Sequence, residues 1–368
     1  MVIHQDFLFL RNAKSLLNID TLIVFFFVLS SFLITKILLT AKQKSYDLGY
    51  GKTKTAFAFL VRRALRIFPA YYFYLFLVML WPNLGHYLRQ HAGMYFSYLS
   101  NFRIYADQAW EPATAHLWTL GVEEQFYIVW PWIILFVPNK ALPRVFYFMI
   151  AAGIAFRISY FAVHPASWTE PVSPTILTPS NLDAYGCGGM LAYWHVIGKT
   201  KNKILSKLCW IFLPFWTLLK ILQDHTISPG IDKGFASLLS MVLIEGASNG
   251  YKNLFGKFLE SKLVTYLGKI SYGLYLYHLI APIVFWWVFF GIAHRAPKSM
   301  TVTFKRIQDV AAIPIVNFII YFSITVLFAT ASWYLLEQPV NNLKRYIRYS
   351  SPDKSEKKKS SLSLPNRL

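Results

Sequence analysis

Between His116 and Tyr127 the chain reads His-Leu-Trp-Thr-Leu-Gly-Val-Glu-Glu-Gln-Phe-Tyr, which sets one imidazole and two carboxylates in an apolar stretch. On a helix His116 and Glu123 lie close to two turns apart and share nearly one face. A histidine and a glutamate facing one cavity form a workable general acid/base pair. Glu123 and its neighbour Glu124 point about 100° apart, so the two do not share a partner. Equally open at this point is a structural role, with the carboxylates capping the helix or pairing with Arg103. A second cluster, Arg62-Arg63-Ala-Leu-Arg66-Ile-Phe-Pro69-Ala-Tyr71, places three guanidinium groups at spacings of three and four. Guanidinium forks bind phosphates through paired hydrogen bonds. Ordinary charge anchoring at a membrane surface explains the same cluster, and Pro69 either bends the helix or marks its start. A third run, Lys269-Ile-Ser271-Tyr272-Gly273-Leu-Tyr275-Leu-Tyr277-His278, puts Tyr275 and His278 on one helical face. Asp183, just after Asn181, stands before a glycine-rich run through Gly189 and reads first as a helix cap. His4 stands alone ahead of Phe7–Leu10.

The elements that must hold these groups follow from composition. Of 368 residues, 55% are hydrophobic and only 15% are charged, with mean hydropathy +0.40. Soluble chains average about 45–50% apolar and about 25% charged. A soluble enzyme and a disordered chain are both excluded, and an all-α polytopic transmembrane helical bundle is expected. A spanning helix needs about 20 mostly apolar residues. Nine segments qualify: 18–38, 66–82, 119–137, 145–163, 182–198, 208–222, 231–248, 271–291 and 312–336. Met94–Phe102 is apolar but too short to cross, and reads as an interfacial or re-entrant helix. At bilayer depth an ionisable side chain costs about 2.5–3.5 kcal/mol on insertion scales, so each polar cluster above needs a reason to be there.

The net charge of +20 sits in alternate loops and at the C-terminus. The positive-inside rule puts the odd-numbered loops and the tail in the cytoplasm. That distribution excludes a nucleic-acid surface, which needs basic residues gathered on one soluble face. It also leaves the N-terminus outside without a signal peptide, so a further span upstream of Met1 is expected, with residues 1–17 as its remnant. Residues 346–368 are expected to form a basic cytoplasmic tail resting on anionic lipid. Two cysteines exclude a disulfide scaffold and a multi-cysteine metal site, and no H-E-x-x-H or G-x-S-x-G motif occurs. No resident metal is expected.

Taken in order, these clusters resemble the acyltransferase 3 family of integral membrane acyltransferases. Phe26–Ile34 is similar to its F-F-V-L-S-G-F-L-I run, with Ser31 in the glycine place. Arg62–Tyr71 is similar to R-R-x-x-R-I-x-P-x-Y, and His116–Pro131 to H-x-W-S-L-x-V-E-E-Q-F-Y-x-x-W-P, with Thr119 in the serine place. Asn181–Gly188 looks like R-L-D-A-L-x-x-G, with Asn181 where an arginine is common. Leu267–His278 is similar to L-G-x-I-S-Y-S-L-Y-L-W-H, and Glu337-Gln338-Pro339 to the closing E-x-P. The resemblance covers Met1–Arg345, read as one membrane domain. It implies a cytoplasmic acyl-CoA donor, most often acetyl-CoA, with no permanently bound cofactor. It also implies an acceptor hydroxyl on an envelope or lipid-linked saccharide, in a bacterial inner membrane. The catalytic histidine of the family's first helix corresponds to His4, and its arginine partner would precede Met1. On this reading His4, His116, Glu123 and Glu124 carry the chemistry in the outer half. Arg62, Arg63, Arg66 and Tyr71 hold the CoA phosphates at the inner face, with Tyr275 and His278 lining the same donor pocket. The alternatives are a flippase for a lipid-linked glycan, or an inactive truncated member of the family.

Overall fold

A computed structural model describes residues 19–47, 51–164, 170–198, 205, 207–212, 214, 228–251 and 254–347. His4, most of the sixth expected span and the tail beyond Ile347 lie outside the described residues. Every regular element within them is helical.

The first expected span is α1, Ile19–Asp47, and the second is α2, Lys52–Leu80. Pro69 lies inside α2 and does not mark its start; the helix begins 17 residues earlier. Three short helices follow, α3 (His86–Gln90), α4 (Ala92–Phe96) and α5 (Ser100–Asp107). Then come α6 (Leu117–Phe136), α7 (Leu142–Val163) and α8 (Leu182–Val196), and after them α9 (Ser228–Ser248). Two short helices, α10 (Leu254–Leu259) and α11 (Lys262–Lys269), lead to α12 (Ser271–Tyr277) and α13 (Ile280–Arg295). The described part closes with α14 (Thr301–Ala311), α15 (Pro314–Ser332), a π-helical turn at Trp333–Glu337 and α16 (Gln338–Asn341).

Among the described residues four helices are long and apolar enough to cross a membrane, and a fifth if the bent pair α12–α13 counts as one span. The four are in α1, α2, α7 and the run from α15 to Tyr346. The expected spans at 119–137, 182–198 and 231–248 are present as α6, α8 and α9. Glu123 and Glu124 dilute the apolarity of α6, and α8 has only 15 residues. The span expected at 271–291 is broken: α12 and α13 meet at 55°, with His278 at the break.

Close packing of α1 on α8 organises one side of the bundle. A Cβ placed on Gly188 would fall 2.3 Å from the Val28 carbonyl oxygen, so only glycine permits this approach. Ser31, beside it, is fully buried and donates its hydroxyl to the Tyr185 carbonyl at 2.6 Å. A hydroxyl in the family's glycine place is therefore accommodated by a hydrogen bond across the same contact. The segment around Met94–Phe102 is not a single interfacial helix. It breaks into α4 and α5 and packs on α2, where Tyr71 donates to the Tyr95 carbonyl at 2.8 Å and Tyr72 to the Phe96 carbonyl at 3.1 Å.

Candidate active site

The polar groups singled out above gather along the seam where α6 meets α2 and the α12–α13 break. The two helices run antiparallel. Arg63 on α2 meets Tyr127 on α6, and Tyr74, three turns further along α2, meets His116 at the other end of α6. From His116 to Tyr127 is 11 residues, about 16 Å of helix. The site therefore has two ends.

The guanidinium end centres on Arg63. Its Nη2 donates to the Tyr127 hydroxyl at 2.6 Å, and the guanidinium lies 4.2 Å from the centroid of the same ring. The Tyr127 hydroxyl also meets Ser30 Oγ, which brings α1 to the site. Arg63 lies in the field of both Glu123 and Glu124, but among the described residues it forms an ion pair with neither. Neither structural alternative for the carboxylates holds. Both lie about two turns inside α6 and cap nothing, and Arg103 is bound to Asp107, with Nε donating at 2.7 Å. Glu124 is only 6% exposed, and its Oε1 has no hydrogen-bond partner among the described residues. The same is true of Arg63 Nε. Leaving such a group unpaired costs about 1–3 kcal/mol, more when it is charged, so the arrangement is not one that stability selects.

The other three residues expected beside Arg63 are placed differently. Arg62 turns away and donates through Nη1 to the carbonyls of Lys344 (2.8 Å) and Ile347 (2.6 Å), tying α2 to the end of the described chain. Arg66 is exposed and lies in the field of Glu337, a buried carboxylate on the π-helical turn that accepts from Ser332 at 3.0 Å. Tyr71 is fully buried and its hydroxyl is spent on Tyr95, so it supports the site from behind.

The imidazole end centres on His116, which is 7% exposed. Its Nε2 lies 3.0 Å from the Leu276 carbonyl oxygen, and its backbone carbonyl accepts from Tyr275 (2.8 Å) and Thr119 (3.0 Å). The His278 ring stands 5.0 Å from the His116 ring, and the Tyr275 ring 5.5 Å. Tyr275 and His278 were expected in the donor pocket with the arginines; among the described residues their hydrogen bonds and ring contacts run to each other, to His116 and to Thr119. The course of α12 explains this: Tyr275 and Leu276, ahead of the break, already meet the start of α6.

Sequence reasoning gave no role to Tyr127, Ser30, Glu337 or Tyr98. Tyr98 sits at φ +56°, a left-handed conformation that a side chain pays to adopt. Gln125 of α6 donates to its carbonyl at 2.8 Å, and its ring stacks 4.2 Å from that of Tyr71. Its buried hydroxyl has no partner among the described residues. Only the fold brings it to the seam; no spacing in the sequence signals it.

Asp183 is not the surface cap that its position suggested. It lies in the first turn of α8 and pairs with Arg157 of α7, and both side chains are 1% exposed. Beside them Lys233 of α9 reaches Asn181 Oδ1 at 2.9 Å and the Thr175 carbonyl at 2.7 Å, so a cation still occupies the place where Asn181 replaces an arginine. Among the described residues no group of three His, Cys, Asp or Glu is gathered as a metal site.

Residues 9–336 match the acyltransferase domain of the acyltransferase 3 family. The chain belongs to that family. It is similar to a peptidoglycan O-acetyltransferase of Listeria monocytogenes, with 28% identity over 280 residues, 69% of this chain and 43% of the relative. It is also similar to an O-acetyltransferase of Staphylococcus aureus, with 27% identity over 354 residues, 88% of this chain and 52% of the relative. The chain thus spans about half the length of the curated relatives it matches. No solved structure matches it.

Proposed function

We propose that this chain is a membrane O-acyltransferase that moves an acyl group, acetyl in the first instance, from cytoplasmic acyl-CoA to a hydroxyl of a cell-wall saccharide. Family membership supports the reaction class, and the relatives' printed activity on peptidoglycan supports the acceptor class. The observation that carries the reading is the seam itself. Arg63 Nε, Glu124 Oε1 and His116 Nδ1 are three buried polar atoms without partners among the described residues, strung along the contact between α2 and α6 of an apolar bundle. Groups kept buried and unpaired at functional sites are there for a ligand or a reaction.

In this reading Arg63 and the exposed Arg66 hold the donor's phosphates, and Arg62 anchors the inner end of α2. The thioester is then presented toward α6. Glu123 and Glu124, held beside Arg63, orient the donor end or carry a proton. His116, together with His4, stands at the acceptor end, where an imidazole with an unperturbed pKa of about 6.5 suits proton transfer near neutral pH. Residues 1–345 supply the membrane domain in this reading, with 346–368 as a cytoplasmic tail. Purified protein in lipid nanodiscs, given acetyl-CoA labelled in the acetyl group and a peptidoglycan fragment, should label the fragment. Label that stays on CoA or appears only as free acetate contradicts the proposal. Movement of an unlabelled lipid-linked glycan across the bilayer without label transfer would make the chain a flippase.

A further inference from the structure

The hydrogen-bond partners of His116 and His278 decide which nitrogen of each ring is basic. His116 Nε2 lies 3.0 Å from the Leu276 carbonyl oxygen, and His278 Nδ1 lies 2.6 Å from the Tyr275 carbonyl oxygen. A carbonyl oxygen only accepts, so both of these nitrogens carry the hydrogen. A neutral imidazole has one N–H, which leaves the lone pairs on His116 Nδ1 and His278 Nε2. Two consecutive carbonyls of α12 therefore set both tautomers. His116 Nδ1 is buried and has no partner among the described residues. Its ring is also wedged by Tyr74 at 5.7 Å and Tyr275 at 5.5 Å, so it has little freedom to turn. The His278 ring stands 5.0 Å away with its plane at 74° to that of His116, and it is exposed at the α12–α13 break. One base is thus fixed and enclosed, and its neighbour is held in the matching tautomer but open to a substrate.

We infer that His278 Nε2 is the catalytic base that takes the proton from the acceptor hydroxyl, and that His116 is its positioning residue. The inference rests on the acyl transfer proposed above and moves His278 from the donor pocket to the proton-transfer end. The acceptor oxygen attacks the thioester carbonyl carbon; a C–O bond forms and the C–S bond breaks. The hydroxyl proton passes to His278 Nε2 and then to the departing CoA thiolate, so no redox partner is needed. As the imidazolium forms, the bond from Nδ1 to the Tyr275 carbonyl holds the ring and favours its charge, while the neutral His116 ring, 5.0 Å away, keeps it in place. The His116 backbone, tied by Tyr275 and Thr119, fixes the distance between the rings.

The test uses the whole chain in nanodiscs with labelled acetyl-CoA and a peptidoglycan fragment. His278→Asn keeps an N–H where Nδ1 donates and removes the base at Nε2. Its kcat should fall about 10²-fold or more, the range general-base catalysis supplies, with the KM for acetyl-CoA within about threefold of the parent. Added imidazole should restore part of the lost rate. His116→Gln keeps a donor for the Leu276 carbonyl but no free ring nitrogen, and should lower kcat about tenfold with no rescue by imidazole. An unchanged kcat in His278→Asn, or a raised KM for acetyl-CoA with kcat kept, overturns the inference and returns His278 to the donor site. If the unsubstituted protein transfers no label, the proposed function fails, and this inference with it. If it does transfer label and His278→Asn matches it, this inference alone fails.

Discussion

Two arginines in this bundle face carboxylates across a helix contact, and they do so in opposite ways. Arg157 meets Asp183 with two parallel bonds, Nη1 to Oδ1 at 2.9 Å and Nη2 to Oδ2 at 2.7 Å, and also donates to the Ser180 carbonyl. Arg63 lies near Glu123 and Glu124 but makes its hydrogen bond to Tyr127, while its Nε and Glu124 Oε1 stay unpaired among the described residues. The first pair is closed: its charges are matched and its fork is filled, as a buried pair must be if it is to be tolerated. The second is open, and its remaining hydrogen-bonding capacity is what a phosphate or a reacting group would use. Among buried charges in a membrane bundle, the unmatched atoms mark the site.

The comparison can be broken most forcefully at the closed pair. Arg157→Met leaves the Asp183 carboxylate buried without its partner, and should cost about 3–5 kcal/mol of stability, read as a lower melting temperature in detergent. Replacing both residues, Arg157→Met with Asp183→Leu, should recover most of that loss. If Arg157→Met melts with the parent, the pair is not structural and the contrast collapses. Next, Gly188→Ala pushes a methyl group into the Val28 carbonyl where α8 crosses α1. It should cost about 1–3 kcal/mol while leaving the rate per folded molecule unchanged, because the methyl touches only the packing side of the bundle.

At the open cluster the expected change is in activity. Arg63→Lys keeps the charge but loses the planar fork, so the KM for acetyl-CoA should rise about tenfold, equivalent to about 1.4 kcal/mol, with melting unchanged. The smallest effect belongs to a half-buried pair, Arg103 with Asp107, that resembles the closed one only in its partners. Burial pushes the Asp107 carboxyl up, but hydrogen bonds from Tyr87 and Arg103 outweigh it and hold the group below the usual carboxylate range. Its contribution is therefore present above the unfolded value of about 3.9 and is lost as pH falls through the depressed folded value. Asp107→Asn should lower the melting temperature slightly at pH 7 and flatten its decline on the acid side; a parallel decline in both proteins would show that the pair contributes nothing.

How much of this was legible in the sequence depends on the range of the interaction. The helical class follows from apolar content, and apolar runs locate α1, α6, α7 and α8, whereas α2 starts 14 residues before its expected span because its first turns carry lysines and arginines. The pairing of Tyr275 with His278 came from spacing within one helix. Contacts between helices were out of reach. Arg157 drew no notice, because its partner Asp183 lies 26 residues away and read as a cap. The break at His278 had a signal that sequence reasoning missed: Pro282 lacks the N–H that would bond the His278 carbonyl four residues back, and its ring crowds that carbonyl. Tyr275 and Leu276 already reach His116, so α12 itself, ahead of the bend, sets His278 beside that ring.

The central claim is that the unpaired buried groups of the α2–α6 seam are the reaction site and not a flaw in packing. Glu124→Gln tests it most directly, because it keeps size and hydrogen-bonding shape while removing the charge. The measurement is the initial rate of acetyl transfer from labelled acetyl-CoA to a peptidoglycan fragment, taken alongside the melting temperature of the same preparation. The account predicts a rate at least ~10²-fold lower with melting equal to or above that of the unsubstituted protein. A rate close to that of the unsubstituted protein, or a loss of rate that merely follows a fall in melting temperature, would contradict it.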